Sequence, residues 1–234
     1  MAAPRVVSLV PSATETLLAW GIEPVACTRF CEQPALRHVG GTKDPDLTAI
    51  VGLLPDLVVV CDEENRREDA DELVRLGVRI HSCSPRAVAE VERALADLAA
   101  ALDVVPPADA AGGPLPTLPP VGLRAFVPIW RRPWMTLAGD TFGSSLLEAV
   151  GVVNVFADAT DRYPEVSLDE ARQRQPDVVL APSEPYTFRP VHLEALAEVA
   201  PVVEVDGQDL FWWGARTPAA IHRLHRHLSH LTPR

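Results

Sequence analysis

One segment of this chain occurs twice. Leu47, Pro55, Asp56 and the apolar run Leu57-Val58-Val59-Val60 return as Leu168, Pro176, Asp177 and Val178-Val179-Leu180, at a constant shift of 121 residues (168 − 47 and 176 − 55). Both runs end in acidic, polar loops, Asp62-Glu63-Glu64-Asn65 and Ser183-Glu184-Pro185-Tyr186. A second pair keeps the same order: Leu17-Leu18-Ala19-Trp20-Gly21 against Leu147-Glu148-Ala149-Val150-Gly151. A duplication on this scale builds two similar lobes, and the groove that two lobes leave is a place for small ligands. The competing reading is chance likeness, since βα units resemble one another in single sequences.

Short β-branched runs alternate with helical patterns in both halves, the signature of a parallel α/β fold. In the first half strands are expected at 5–10, 24–28, 57–61 and 78–83, and helices at 14–20, 47–53, 66–76 and 87–102. Ser12 or Thr14 is expected to cap the first helix and Gly21 to end it; Asp46 caps the second and Pro55 stops it. Residues 104–120 hold six prolines with Gly112-Gly113 and read as a linker. In the second half strands are expected at 124–129, 152–156, 178–181 and 202–205, and helices at 143–150, 168–175, 192–199 and 218–231. The domain division is therefore 1–86, a linking helix plus Pro-rich linker at 87–120, and 121–234.

The net charge of −11 argues against nucleic acid and anionic membrane surfaces as partners. No apolar run reaches the length that spans a bilayer. Met1-Ala2-Ala3-Pro4-Arg5 leads straight into Val6-Val7-Ser8-Leu9-Val10 without the layout of a secretory leader, which gives the expectation of a cytoplasmic protein. Of the four cysteines, Cys27, Cys61 and Cys83 end strand-like runs and read as buried free thiols, whereas Cys31 falls in a polar loop.

Ligands of open parallel sheets sit beyond the carboxyl ends of the strands, so the loops there hold the candidate residues. Four of five tryptophans, Trp130, Trp134, Trp212 and Trp213, lie in such loops and offer stacking faces to a flat ligand, although loop tryptophans also cover core edges. Arg29, Arg66, Arg67, Arg131, Arg132 and Arg216 gather there too, suited to gripping carboxylate, phosphate or amide oxygens; Arg66 and Arg67 stand at pairing distance from neighbouring acids. Gly40-Gly41-Thr42-Lys43 lacks the spacing of a phosphate loop and reads as a tight turn. His222, His225, His227 and His230 fall on the solvated flanks of a helix striped by Ile221, Leu224, Leu228 and Leu231, and so read as surface residues. Cys31 and His38 are the candidates for metal ligation. Asp140 and Glu165 are available as a carboxylate pair, with capping as their ordinary use. No nucleophile–base–acid motif stands out, and the expectation is a non-enzyme.

Val7-Ser8-Leu9-Val10-Pro11-Ser12-Ala13-Thr14-Glu15, Gly41-Thr42-Lys43-Asp44-Pro45-Asp46-Leu47 and Leu54-Pro55-Asp56-Leu57-Val58 resemble the cobalamin and iron-siderophore substrate-binding proteins of ABC importers, the helical-backbone metal receptors. Gly139-Asp140-Thr141, Tyr163-Pro164-Glu165-Val166-Ser167 and Pro176-Asp177-Val178-Val179 continue the resemblance, nearest to the cobalamin-binding branch. It implies two Rossmann-like lobes with parallel sheets, joined by a linking helix, and a corrinoid or metal chelate held between them without catalysis. It places ligand contacts at Ser12, Thr14, Glu15, Arg29, Phe30, Lys43, Glu63, Glu64, Trp130, Arg131, Trp134, Asp140, Tyr163, Glu184, Tyr186, Phe211, Trp212, Trp213 and Arg216. The expectation that goes with it is a monomer that requires no cofactor and has an ABC permease as its partner. Family members dock there through acidic residues, for which Glu68 is the candidate, and they carry a leader and are extracytoplasmic. The alternatives on the same lobes are a cytosolic cofactor-handling enzyme or chaperone, a direct metal-ion receptor using Cys31, Glu63 or Glu64 and His38, and a sensor module with a degenerate groove.

Overall fold

The computed structural model describes residues 4–108, 110 and 113–231; the expectations at Met1-Ala2-Ala3 and Gly112 lie outside that set. The chain divides into two units. One comprises Met1–Pro85, Glu90–Gly113 and Trp213–Arg216; the other comprises Arg86–Ala89, Pro114–Trp212 and Thr217–Arg234.

The first unit runs β1 (Val6–Ser8), α1 (Pro11–Ala19), β2 (Ala26–Cys27), α2 (Leu47–Gly52), β3 (Leu57–Val60), α3 (Arg67–Arg75), β4 (Ile80–Ser82) and α4 (Val91–Leu102). Its strands form one parallel sheet in the order β2-β1-β3-β4. β1 and β3 are buried along their whole length, because helices cover both faces of a parallel sheet, and this is why they read as unbroken apolar runs. Val7, Leu9, Ile50, Val58 and Leu73 form the core. α1 starts earlier than expected: Pro11 occupies its first turn, Val10 is the N-cap residue, and Ser12 and Thr14 lie inside the helix. α4 covers only part of the helix expected at 87–102 and ends at Asp103 in a left-handed conformation.

The second unit runs β5 (Arg124–Phe126), β6 (Pro128–Trp130), β7 (Met135–Thr136), α5 (Phe142–Ala149), β8 (Val153–Asn154), α6 (Leu168–Gln173), β9 (Val178–Pro182), α7 (Pro190–Ala197), β10 (Val202–Val205), α8 (Gly207–Phe211) and α9 (Thr217–Leu228). Its parallel sheet has the order β10-β9-β5-β8, and β6 and β7 pair as a separate antiparallel hairpin. The strand expected at 124–129 breaks because Pro128 has no N–H to extend the ladder. The strand expected at 152–156 shortens because the Asn154 Oδ1 accepts the Phe156 N–H at 3.0 Å and turns the chain. The stretch 206–216, read as loop, opens with α8, whose N-cap Asp206 accepts the N–H of Gln208. Phe126, Phe156, Val179 and Leu196 form this unit's core.

The duplication persists atom by atom. Written from the second strand outward, both sheets have the order second, first, third, fourth: β2-β1-β3-β4 and β8-β5-β9-β10. Asp56 accepts the Arg5 N–H at 2.8 Å, and Asp177 accepts the Arg124 N–H at 2.8 Å. The Arg5 guanidinium donates to the carbonyls of Leu53 and Leu54; that of Arg124 donates to those of Arg174 and Gln175. Leu54 and Gln175 are both left-handed, at φ 48° and 52°, each ahead of a proline that disfavours a right-handed helical residue before it. The N-cap side chains also match in role: Asp46 accepts the Ala49 N–H and Ser167 accepts the Glu170 N–H. α1 and α5 end alike, at Gly21 (φ 75°) and Gly151 (φ 74°), with Ile22 bonding back to Leu17 and Val152 to Leu147. α9 buries Ile221, Leu224 and Leu228, leaving its histidines on the flanks as expected. His225 and His227 donate Nε2–H to the carbonyls of Pro119 and Glu204. Among the described residues no helix is long and apolar enough to cross a membrane.

Candidate functional site

A parallel sheet of this kind opens a crevice where its chain reverses direction of progress, beyond the strands' carboxyl ends. In each unit the first strand is followed by a neighbour on one side and then by a strand on the other. The switch therefore falls between β1 and β3 in the first unit and between β5 and β9 in the second.

In the first unit the side chain of Asn65 fills that switch point. Its Oδ1 accepts the Cys61 N–H at 2.8 Å, and its Nδ2 donates to Leu9 O at 3.2 Å and Thr42 O at 3.0 Å. One buried amide thus ties the loops after β1 and β3 to the turn at 41–44. That turn is the one expected from the glycine pair: Gly40 has φ 92°, and Gly41 N–H points at Asp44 O. Arg29 pairs with Asp44 at 3.0 Å and lies over the Phe30 ring at 4.8 Å, with both side chains exposed. Lys43 donates to Glu63 O at 2.7 Å. Glu15 pairs with Arg216 at 2.7 Å, on the segment where Ala215 N–H donates to Thr16.

Ser12 and Thr14, expected as ligand contacts, are turned inward. The Thr14 hydroxyl lies 3.0 Å from Val10 O and 3.2 Å from the Cys31 sulfur, so it serves the helix start. Cys31, expected in a polar loop, is buried, whereas His38 is exposed with Nε2 at Gln33 O. Among the described residues no three or more His, Cys, Asp or Glu side chains converge as a metal site would require. The set Cys31, His38 and Glu63 or Glu64 is not among such clusters.

In the second unit the switch point carries aromatic rings. Trp130, at the end of β6, meets Tyr186 edge-on with ring centroids 5.2 Å apart. Tyr186 packs on Phe188 at 5.0 Å, and Phe188 stacks on Trp134 at 6.1 Å and 12°. His192 of α7 lies against both Tyr186 and Phe188. Trp130 keeps 45% of its surface open. The Arg131 guanidinium lies over Trp134 at 5.5 Å, and its buried Nε has no hydrogen-bond partner among the described residues. Arg132 and Arg189 stand close enough, with Arg131, to act on His192. Burial first, and then these three guanidiniums, hold the His192 imidazole below its ordinary value. Arg189 N–H donates to Nδ1, which fits a neutral ring.

The other expected contacts divide. Asp140 is taken by Arg86 at 3.2 Å and Arg162 at 3.5 Å, and Arg162 also covers the ring of the exposed Tyr163. Glu184 is half-buried, packed against the backbone of Gly207. Trp212 and Trp213, expected to offer stacking faces, are 9% and 4% exposed, and Phe211 packs on Gly143. Their flanking polar residues belong to α8 and its capping, which conceals burial from a sequence reading. Asn65, Phe188, Arg189 and His192 were not singled out; the polar spacing after each apolar run was the only signal for them. A hollow of about 280 Å³ on the β8 side, lined by Arg124, Asn154, Asp158 and Arg174 among others, contains none of the expected contacts.

No family model matches the chain. It is 27% identical over 192 residues to the vitamin B12-binding protein of Salmonella choleraesuis (strain SC-B67), covering 76% of this chain and 72% of that one. In structure it is similar to the periplasmic vitamin B12 binding protein BtuF of Vibrio cholerae, with TM-score 0.75 and 22% identity over 98% of both chains. It is equally similar to the periplasmic heme-binding protein RhuT from Roseiflexus sp. RS-1 in apo form, with TM-score 0.78 and 19% identity over 98% and 99% of the two chains. These structures establish the two-lobed α/β fold, and the sequence relatives to which the chain is similar, at 25–28% identity, are named vitamin B12-binding proteins.

Proposed function

We propose that this protein is a non-enzymatic binding protein for a corrinoid, taken up by the loops at the carboxyl ends of its sheets. The observation that carries this reading is the second unit's switch point. An open indole at Trp130, a connected wall of Tyr186, Phe188 and Trp134, and an Arg131 Nε–H without an acceptor fit a broad flat ligand rimmed by carbonyl or carboxylate oxygens. The relatives named for vitamin B12 support a corrinoid; the neighbours named for heme make haem the competitor. Delivery to an ABC permease, with exposed Glu68 in the first turn of α3 as a docking residue, belongs to the same proposal. The named structural neighbours are periplasmic, and the expectation of a cytoplasmic protein finds no support in them.

Titration with cobalamin, cobinamide and haem, followed by tryptophan fluorescence, tests it. Saturable quenching by the corrinoids is expected, with Trp130→Ala weakening binding roughly tenfold or more, as loss of a stacking anchor does. Quenching by haem alone would reassign the ligand. No quenching by any of the three, from protein with intact far-ultraviolet dichroism, would end the proposal.

A further inference from the structure

In the second unit Arg86 and Arg162 hold Asp140, Arg172 holds Asp169, Arg174 holds Asp158, and Arg223 holds Asp209 with two bonds of 2.6 Å. Arg131, Arg132 and Arg189 differ: among the described residues none of the three stands in an ion pair. In a protein of net charge −11 that is not for want of acids. All three sit round one set of rings. The Arg131 guanidinium lies over Trp134 at 5.5 Å, Trp134 stacks on Phe188, and Phe188 meets His192 at 6.4 Å. Arg189 reaches the same imidazole, with Nη2 3.4 Å from His192 Nε2. Arg132 follows Arg131 and is exposed.

Two further features make the place positive. Arg189 is the N-cap residue of α7, an eight-residue helix whose first turn has no acid. Ser, Thr, Asp or Asn ordinarily hold that position, and the positive end of the helix dipole there favours an anion over a cation. The Arg131 Nε is buried and has no hydrogen-bond partner among the described residues. The combined field of the guanidiniums reaches His192 and, after burial, keeps that ring from taking a proton. A neutral carbonyl would satisfy one N–H and leave these charges unopposed. An oxyanion satisfies the N–H and the charges together, through hydrogen bonds roughly twice as strong.

We propose that this cluster selects the ligand by charge: Arg131 and Arg189, with Arg132 at the rim, grip an oxyanion, carboxylate or phosphate, on the edge of the flat ligand stacked at Trp130. The oxyanion grip rests on the corrinoid reading of the same rings and narrows it to a corrinoid with a negative group at its periphery.

Three corrinoids with the same dicyano cobalt centre separate the cases. Cobinamide carries neutral amides, cobalamin adds one phosphodiester, and cobyrinic acid carries carboxylates in place of the amides. Their binding to the full chain is measured by tryptophan quenching, with haem as a fourth ligand. Cobalamin or cobyrinic acid is expected to bind roughly tenfold or more tighter than cobinamide, and the one that does so identifies the oxyanion. That margin is expected to shrink as salt rises from about 0.05 M to about 0.5 M, as screening requires. It is expected to fall in Arg131→Gln and Arg189→Gln and to persist in Arg172→Gln, which removes the same charge elsewhere. Cobinamide bound as tightly as the other two would overturn the oxyanion grip and leave the corrinoid reading standing. So would a margin that neither salt nor the first two variants reduce. Haem binding alone, weakened roughly tenfold by Arg131→Gln, would keep the grip and end the corrinoid reading. No quenching by any ligand, or binding of haem alone that both variants leave unchanged, would end both. The wild-type comparison and its salt dependence decide the matter even if a variant misfolds.

Discussion

His192 and Asn65 are the residues whose chemistry is most constrained by their surroundings. His192 is buried under Tyr186 and Phe188, with three guanidiniums acting on it, and its folded value lies below the ordinary 6.5. The unfolded chain therefore takes up this proton first. Stability contributed by the neutral ring is complete above about 6.5 and is lost as pH falls from there toward the depressed folded value. His192→Gln is expected to flatten the change in urea midpoint between pH 7.5 and 5.5; an unchanged slope would mean that the ring titrates freely. Asn65 makes three bonds with one amide, two as donor and one as acceptor. Asn65→Ala leaves those backbone groups without their partner, at a cost of about 3 kcal/mol. Asn65→Asp is expected to be nearly as harmful, since a carboxylate cannot donate to Leu9 O and Thr42 O. Denaturant unfolding of both variants measures this, and a mild Asp variant would remove the two donor bonds from the account.

At the scale of elements, the segment before α9 depends on close approach to α1. Gly214 has φ 116°, and a Cβ there would overlap Thr16 Oγ1, which also accepts the Ala215 N–H. Gly21 has φ 75° but open space around it. Gly214→Ala is expected to cost about 3 kcal/mol in thermal or urea unfolding, against about 1 kcal/mol for Gly21→Ala, because only the former adds overlap to the left-handed penalty. Equal losses would show that the segment moves off the helix without penalty. Gly21 was legible because a helix stop needs a left-handed residue; Gly214 was not, because the helix it touches is nearly 200 residues away in sequence (|i−j| = 199 for the bond to Thr16). The same distinction runs through the fold. Pro55-Asp56 and Pro176-Asp177 announced β3 and β9, since proline stops the helix locally and the aspartate serves the strand beside it. The β6–β7 hairpin was half legible: the loop with Arg131 and Arg132 was read, but β6 hid at the end of the apolar run that begins in β5. At the site, Trp130 and Trp134 were legible as loop aromatics, whereas the burial of Trp212 and Trp213 depends on tertiary packing that no local pattern records.

On the scale of the whole molecule, two units with the same strand order solve the same problem with the same bonds. Each has its own sheet and its own core, yet the chain passes from one unit to the other at residues 85–86, 89–90, 113–114, 212–213 and 216–217. Shared covalent passage favours a single unfolding event, and separate cores favour local ones confined to a unit. The repeated aspartates decide which dominates below global unfolding, because Asp56 and Asp177 each hold the N–H of the residue that leads into, or begins, the first strand of their unit at 2.8 Å. Both bonds are solvent-exposed, so each alanine variant is expected to cost about 1 kcal/mol. Separate cores predict that Asp56→Ala speeds native-state hydrogen exchange in peptides covering β1 and β3, and Asp177→Ala in those covering β5 and β9, each leaving the other sheet at wild-type rates. A rise in both sheets from either variant would show that the five chain passages weld the units into one cooperative body.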